Sequence, residues 1–258
     1  MIRRRSVNEV SNWESRQRRF WDAVAGVYSS LYRDYWHEAE DLEVGRLLGD
    51  LAPAKGLVVD LGCGQGLGLR LLRHHVSDSL LYVGIDTSWE MLKHGDVGHE
   101  ENSLVVRADM RSVPISDASA AMITSLFSSL SYLEDPKVAF TEMARVLAPG
   151  GRYLVMCLSR RSLRRILGLK AGHVELYGTS GLPICDGAVA APVRLMTKSE
   201  LAEQIGSSGL VVTRIIGQSP FRAHNDRSTL LWLLSRLVGR LAPDLGHTLI
   251  AWGYKPRL

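Results

Sequence analysis

The stretch VVDLGCGQGLGLRLL, from Val58 to Leu72, limits the fold more than any other part of the chain. A short apolar run meets glycines at alternate positions, Gly62, Gly64, Gly66 and Gly68, and then a helix-like apolar segment. Parallel α/β sheets build ligand cradles this way, because glycine tolerates positive φ and lets backbone N–H groups approach a ligand. Register excludes the dinucleotide form of the turn. A GxGxxG pattern needs its third glycine where the chain has Leu67, Leu69 or Leu71. No Gly-Lys-Ser/Thr follows, so it is not a P-loop either. Asp60, directly before the turn, would repel a pyrophosphate and suits a cationic or hydrogen-bond-donating ligand.

Strands and helices alternate around this turn. Apolar runs predict strands over Gly56 to Leu61, Leu80 to Ile85, Leu104 to Arg107, Ala118 to Leu126 and Tyr153 to Leu158. Helices are predicted over Leu67 to His75, Trp89 to His94 and Pro136 to Leu147, the last ending in a turn at Pro149-Gly150-Gly151. This order argues for a doubly wound parallel sheet. Ahead of it, Ser11 and Glu14 have capping-box spacing. Phe20, Val24, Val27, Leu31 and Tyr35 then recur at helical spacing beside Trp21, Tyr28 and Tyr32. A second helix is expected from about Ala39 to Leu51. Beyond Leu158 the period loosens from Ser159 to Pro192, as in a lid or binding loop. A helix over Thr197 to Ser207, with Thr197 and Glu200 as a capping box, a strand over Val211 to Ile216, a helix over Thr229 to Leu241 and a strand over Thr248 to Tyr254 complete the pattern.

The strand ends carry the chemistry. Asp86 closes the second strand, where a carboxylate suits the two O–H donors of a ribose. Asp109 follows the third strand beside Met110. A carboxylate there can accept from an exocyclic amine while the base packs on the apolar neighbour. The implied ligand has a ribose, an amino-bearing base and little negative charge.

These residues carry a resemblance. VVDLGCGQG, YVGID with Thr87, VVRADMRSVPISDAS and FTEMARVLAPGGRYLV are similar, in that order, to the motifs of class I S-adenosylmethionine-dependent methyltransferases. The likeness runs from about Trp21 to Leu158 and more weakly from Thr197 to Gly253. It implies a Rossmann-like, seven-stranded sheet with its last strand antiparallel, N-terminal helices and a lid insertion. It implies S-adenosylmethionine as cofactor, with Gly62, Gly64 and Gly66 against its aminoacyl and ribose parts and Asp60 near its amino group. Asp86 then takes the ribose hydroxyls, Asp109 the adenine amine and Met110 the adenine face; Thr87 and Met91 are further candidates. Leu126 and Phe127 lie where the family places the reactive end. Ala25 and Tyr28 match the AxxY pattern of the family's cofactor-covering helix, so Tyr28 is expected to face the cofactor. Trp21, Tyr32 and Trp36 are read as packing, and Gly68 as a helix-packing glycine. A single domain follows, with residues 1–52 as helical cap, 53–158 as cofactor-binding core, and 159–196 and 218–246 as substrate lid segments.

Methyl transfer fixes the cofactor and leaves the acceptor open, since a base helps only acceptors that are not already nucleophilic. SLFSSLSYL, Ser125 to Leu133, lacks the Asn/Asp-Pro-Pro-Tyr/Phe box of family members that methylate amides or nucleic-acid amines. It is similar to small-molecule and quinone-type methyltransferases. The expected acceptor is therefore a natural-product or quinone-type intermediate. A lipid or saccharide carrier at a membrane surface, or a non-catalytic cofactor-binding regulator, are the alternatives. Phe127, Ser128 and Tyr132 are substrate candidates, although Ser128, Ser131 and Tyr132 also suit a helix cap. His173 and His224 are candidate general bases. The leucines at 230, 233, 234, 237 and 241 share one helical face, read as core over the sheet, as pocket lid or as membrane contact, the first two being favoured.

Composition narrows the setting. A net charge of +4 draws partly on Arg3, Arg4, Arg5, Arg16, Arg18 and Arg19, which read as a solvated terminus rather than a nucleic-acid arm. Cys63, Cys157 and Cys185 are scattered, without metal or redox spacing. No apolar run reaches the ~18 residues of a membrane span, and no apolar segment follows the basic start as in a signal peptide. A cytoplasmic enzyme without a metal is expected.

Overall fold

The computed structural model describes residues 7–31, 35–75, 80–95, 100–167, 193–221 and 229–257. His173, His224 and Cys185 lie outside them. Helices α1 (Val7–Val24), α2 (Tyr28–Leu31) and α3 (Tyr35–Leu51) precede the sheet. There follow β1 (Gly56–Leu61), α4 (Leu67–Arg73), β2 (Leu80–Asp86), α5 (Trp89–Lys93), β3 (Ser103–Arg107) and β4 (Ala120–Ser125). A 3-10 turn (Ser129–Tyr132), α6 (Pro136–Val146), β5 (Leu147–Leu158) and α7 (Leu163–Ile166) come next. The chain closes with α8 (Lys198–Ser207), β6 (Val211–Gln218), α9 (Thr229–Leu241), a 3-10 turn (Pro243–Leu245) and β7 (Thr248–Tyr254).

The seven strands run in the order β3-β2-β1-β4-β5-β7-β6. β1 to β5 pair in parallel, and β7 is antiparallel to both β5 and β6. The strand order reverses between β1 and β4, which opens a crevice at their carboxyl ends. Both faces of the sheet are covered, so successive strand residues serve opposite layers. Val59, Ile123 and Val155 pack with Phe140, Met143, Leu201 and Ile205 of α6 and α8. Val58, Met122 and Leu154 pack with Val44, Leu48, Leu69 and Leu72 of α3 and α4. This is why the strands read as continuous apolar runs.

The structure corrects three local expectations. Ser11 does not start a helix: α1 runs through it from Val7, and Glu14 pairs with Arg111. Pro149-Gly150-Gly151 is no free turn but the irregular start of β5. Gly150, at φ 80°, donates to the Lys255 carbonyl and Lys255 N–H donates to Gly151, so the far end of the chain completes the strand. The third correction is α9. Its five leucines are 43% to 77% exposed, while Ser235 and Gly239 are buried against the sheet. A Cβ on Gly239 would stand 1.9 Å from the Gly217 carbonyl oxygen of β6. The helix is seated by its small residues, so the leucine face does not serve as core. Thr197 and Glu200 do form the capping box that starts α8.

Candidate active site

The glycine turn is forced by what surrounds it. Gly62, Gly64 and Gly66 have φ of 75°, 52° and 83°. A Cβ on Gly62 would come 2.6 Å from Ser129 Cβ and 3.1 Å from Met110 Cε, and one on Gly64 would come 3.0 Å from Met91 Cε. Side chains would fill this cradle. The N–H groups of Gly62 and Cys63 donate to the Ile85 carbonyl, anchoring the turn to β2. Asp86 Oδ2 then accepts from Gly64 N–H at 2.9 Å and Oδ1 from Ser88 N–H at 2.9 Å. Backbone donors on both oxygens orient the carboxylate, which lines the pocket. Burial pushes the Asp86 pKa up, and these backbone hydrogen bonds oppose the shift.

Asp109 is set differently. Arg111 grips it with Nε on Oδ1 at 3.0 Å and Nη2 on Oδ2 at 2.6 Å, and its N–H donates to Oδ1. Burial raises this pKa, but the Arg111 hydrogen bonds and charge outweigh it, and the carboxyl is held below the usual range. Arg111 also pairs with Glu14, so an ion chain links Asp109 to α1.

Asp60 lies beneath the turn, only 2% exposed. It accepts from Tyr82 Oη at 2.7 Å and Thr124 Oγ1 at 2.8 Å. Burial raises its pKa to about 6 despite those bonds. A Cβ on Gly68 would touch its Oδ2 at 2.5 Å, so α4 rests directly on the carboxylate.

At the end of β4, Phe127 and Ser128 have φ of 51° and 66°, unusual for residues with a Cβ. Phe127 N–H points at Met156 Sδ, and Ser129 Oγ donates towards the Gly62 and Leu126 carbonyls. The bend turns Phe127 into the crevice, a site where local strain serves a surface rather than the core.

Helix α1 roofs the crevice and is tied down along its length. Trp13 Nε1 donates to the Tyr132 carbonyl, Ser88 Oγ to Asp22 and Gln65 Nε2 to the Ala25 carbonyl. Trp21 stands edge-on to Tyr132, Tyr28 and Phe20, with the Tyr132 ring centroid 4.8 Å away. The crevice beneath this roof spans about 1040 Å³, part of it open to solvent.

Of the residues expected from sequence, Tyr28, Gly62, Gly64, Asp86, Thr87, Met91, Asp109, Met110, Phe127 and Tyr132 line this one pocket. Asp60, Gly66, Leu126 and Ser128 do not; they lie behind its wall, with Asp60, Leu126 and Ser128 buried. The described parts of the two expected lid segments also stand outside it. Sequence reasoning missed Trp13, Glu14, Gln17 and Arg18, and took Trp21 for packing. All five line the pocket. Their positions, two adjacent rows four residues apart, trace one helical face that the apolar count at Phe20 and Val24 had obscured.

Fold and pocket together define a Rossmann-like α/β protein with a glycine-floored, nucleoside-sized site at the sheet's switch point. A family model described as a methyltransferase domain matches residues 59–155. Over these residues the chain is similar to class I S-adenosylmethionine-dependent methyltransferases. It is 28% identical over 178 residues to malonyl-(acyl-carrier protein) O-methyltransferase of Hahella chejuensis, covering 66% of this chain and 62% of that protein. It is 35% identical over 141 residues to demethylmenaquinone methyltransferase of Staphylococcus aureus (strain MRSA252), covering 54% of each. The chain thus spans less than two thirds of the length of either of these relatives. Among solved structures, geranyl diphosphate methyltransferase aligns with a TM-score of 0.62 at 16% identity, over 96% of this chain and 100% of that one. The cyclase SpnF aligns at 0.66 and 18%, over 94% and 97%. At such identity these two share the fold.

The residues present fit S-adenosylmethionine. The cradle is closed to side chains at Gly62 and Gly64, and Asp86 lines the pocket with an oriented carboxylate that suits a ribose diol. Among the described residues, no cluster of His, Cys, Asp and Glu could hold a metal, and no helix is long and apolar enough to cross a membrane.

Proposed function

We propose that this protein transfers a methyl group from S-adenosylmethionine to a small apolar or aromatic acceptor of natural-product or quinone type. The carrying observation is the wall of Trp21, Phe127 and Tyr132, set beside the glycine turn at the end of β4. Planar apolar rings exclude water and orient a flat acceptor, which an in-line displacement requires. The bound cofactor supplies an electrophilic sulfonium methyl group. Asp86 accepts from the ribose hydroxyls and Asp109 from the adenine amine, while Met110 packs on the base. Asp60 offers a buried negative charge below the turn.

Among the described residues lining the pocket there is no histidine or lysine. In this reading the acceptor arrives already nucleophilic, or gives its proton to His173 or His224. The name of the first relative, an O-methyltransferase of a malonyl-acyl-carrier protein, suits an acceptor of the first kind. The same reading has residues 1–52 as the cofactor cap and places the enzyme in the cytoplasm.

Calorimetry with S-adenosylmethionine and S-adenosylhomocysteine tests the cofactor claim, and failure of both to bind sinks it. Asp86→Ala should weaken binding by about 1.5–3 kcal/mol, as charged hydrogen bonds to the ribose are lost. Labelled methyl transfer to a panel of quinols and phenols tests the acceptor. Trp21→Ala should raise the acceptor KM and leave cofactor affinity nearly unchanged.

A further inference from the structure

Helix α9 shows an apolar face that nothing in the methyl-transfer reading uses. Leu230, Leu233, Leu234, Leu237 and Leu241 all point away from the sheet. The helix is held from behind, by Ser235 and Gly239 on β6 and by Arg236, which pairs with Glu43 of α3 and lies over Trp232 at 4.7 Å. The outward leucines therefore do not build the helix into the protein. Arg240, also exposed, borders them, and Thr229–Leu241 contains no acidic residue.

A second apolar and basic segment emerges at the same corner. Arg160 to Leu167 reads RRSLRRIL; Arg160 is held by Glu200 of α8, Arg161 is exposed, and the segment ends in exposed Ile166 and Leu167. Just before it, Ser159 donates through its N–H to the His247 carbonyl and through Oγ to the Asp244 carbonyl. Residues 243–247 are those that lead out of α9 into β7. Leu158 of β5 and Gln218 of β6 both pair with Thr248, so this corner lies at the carboxyl edge of the sheet, the edge that bears the pocket.

From these two elements we infer that the corner formed by α7 and α9 docks on an anionic lipid surface. Outward leucines would enter the headgroup boundary while exposed Arg161 and Arg240 meet lipid phosphates, the pairing of apolar and cationic contributions that stable peripheral binding needs. A second copy of the chain fits less well. Five part-exposed leucines offer roughly a few hundred Å², short of the ~800 Å² per partner of a standard interface. A lipid boundary sets no such minimum. The inference goes beyond the methyl-transfer reading and stands whether or not the acceptor is itself a lipid.

Flotation of the full chain with phosphatidylcholine vesicles, with and without phosphatidylglycerol, tests it. The protein should float with the anionic vesicles, less so as salt rises. L233E/L237E changes only exposed positions and should cut the partition by more than about tenfold. R161E/R240E, at two exposed positions, should weaken binding to anionic vesicles selectively. Calorimetry of cofactor binding on the same variants separates docking from the pocket and reports that they are folded. Absence of wild-type flotation, or unchanged flotation of L233E/L237E, overturns the inference. So does a wild-type dimer in light scattering that L233E/L237E dissolves without any vesicle binding.

Discussion

Helices α6 and α9 carry the same kind of sequence pattern and turn it in opposite directions. In α6, Ala139, Phe140, Met143 and Val146 are fully buried against β4 and β5. In α9 the leucines face out, and glycine and serine face in. An amphipathic pattern states that one face differs from the other. It does not state which face the protein takes. What decides is the space behind the helix: α6 covers the middle of a sheet, where large side chains fill the layer, whereas α9 meets edge strand β6 almost backbone to backbone. The same contrast separates the two ends of the carboxyl edge, one folded inward around a pocket and one turned outward.

Deleting an inward side chain should have the largest effect. Phe140→Ala should destabilise the fold by about 3–5 kcal/mol, read as a shift in the urea midpoint at unchanged slope. A smaller cost would mean that α6 is not seated as deeply as its burial indicates.

Next is the buried carboxylate on the inward side. Asp60 has its pKa raised to about 6 from 3.8. Between about pH 4 and pH 6 the folded state keeps a proton that the unfolded chain has released. Its contribution to stability therefore falls as pH rises through that window, by roughly 3 kcal/mol. Asp60→Asn should flatten this slope, measured by urea unfolding at several pH values, and a slope equal to wild type would remove Asp60 as its source.

Gly239→Val tests the close approach of α9. With only 1.9 Å to the Gly217 oxygen, a Cβ must push the helix off β6, and a loss of about 1–3 kcal/mol is expected. Leu237→Ser, one face away, should change stability by less than about 0.5 kcal/mol by the same measurement. If the serine variant were the more damaging of the two, α9 would be packed by its leucines after all.

What was legible in the sequence follows the same division. The strands, their order along the chain and the positions of Asp86 and Asp109 can be read because each is a local pattern: an apolar run, a turn, a polar residue at its end. The glycine register alone excludes the dinucleotide and P-loop forms of the turn. Less legible were features that depend on distant partners. Gly150 and Gly151 look like a turn because Lys255, which pairs with them, lies about a hundred residues away. Trp21 looked like core because the ring that meets it, Tyr132, is on another element. Ser128 sits at the substrate end of β4 in sequence, yet the bend formed by the two left-handed residues Phe127 and Ser128 brings Phe127 to the pocket and leaves Ser128 buried. The Ser235 and Gly239 pair, four residues apart, was the one local hint that α9 sits on its small face.

Every described residue of the pocket wall falls between Trp13 and Glu134. The later strands close the sheet and present the corner, but supply no described atom to that wall. Pocket wall and outward corner therefore belong to different stretches of one chain, joined through β7, which pairs along β5 and carries the shared core. Substitutions confined to the exposed leucines of α9 can change what the corner meets while leaving every described residue of the pocket wall in place.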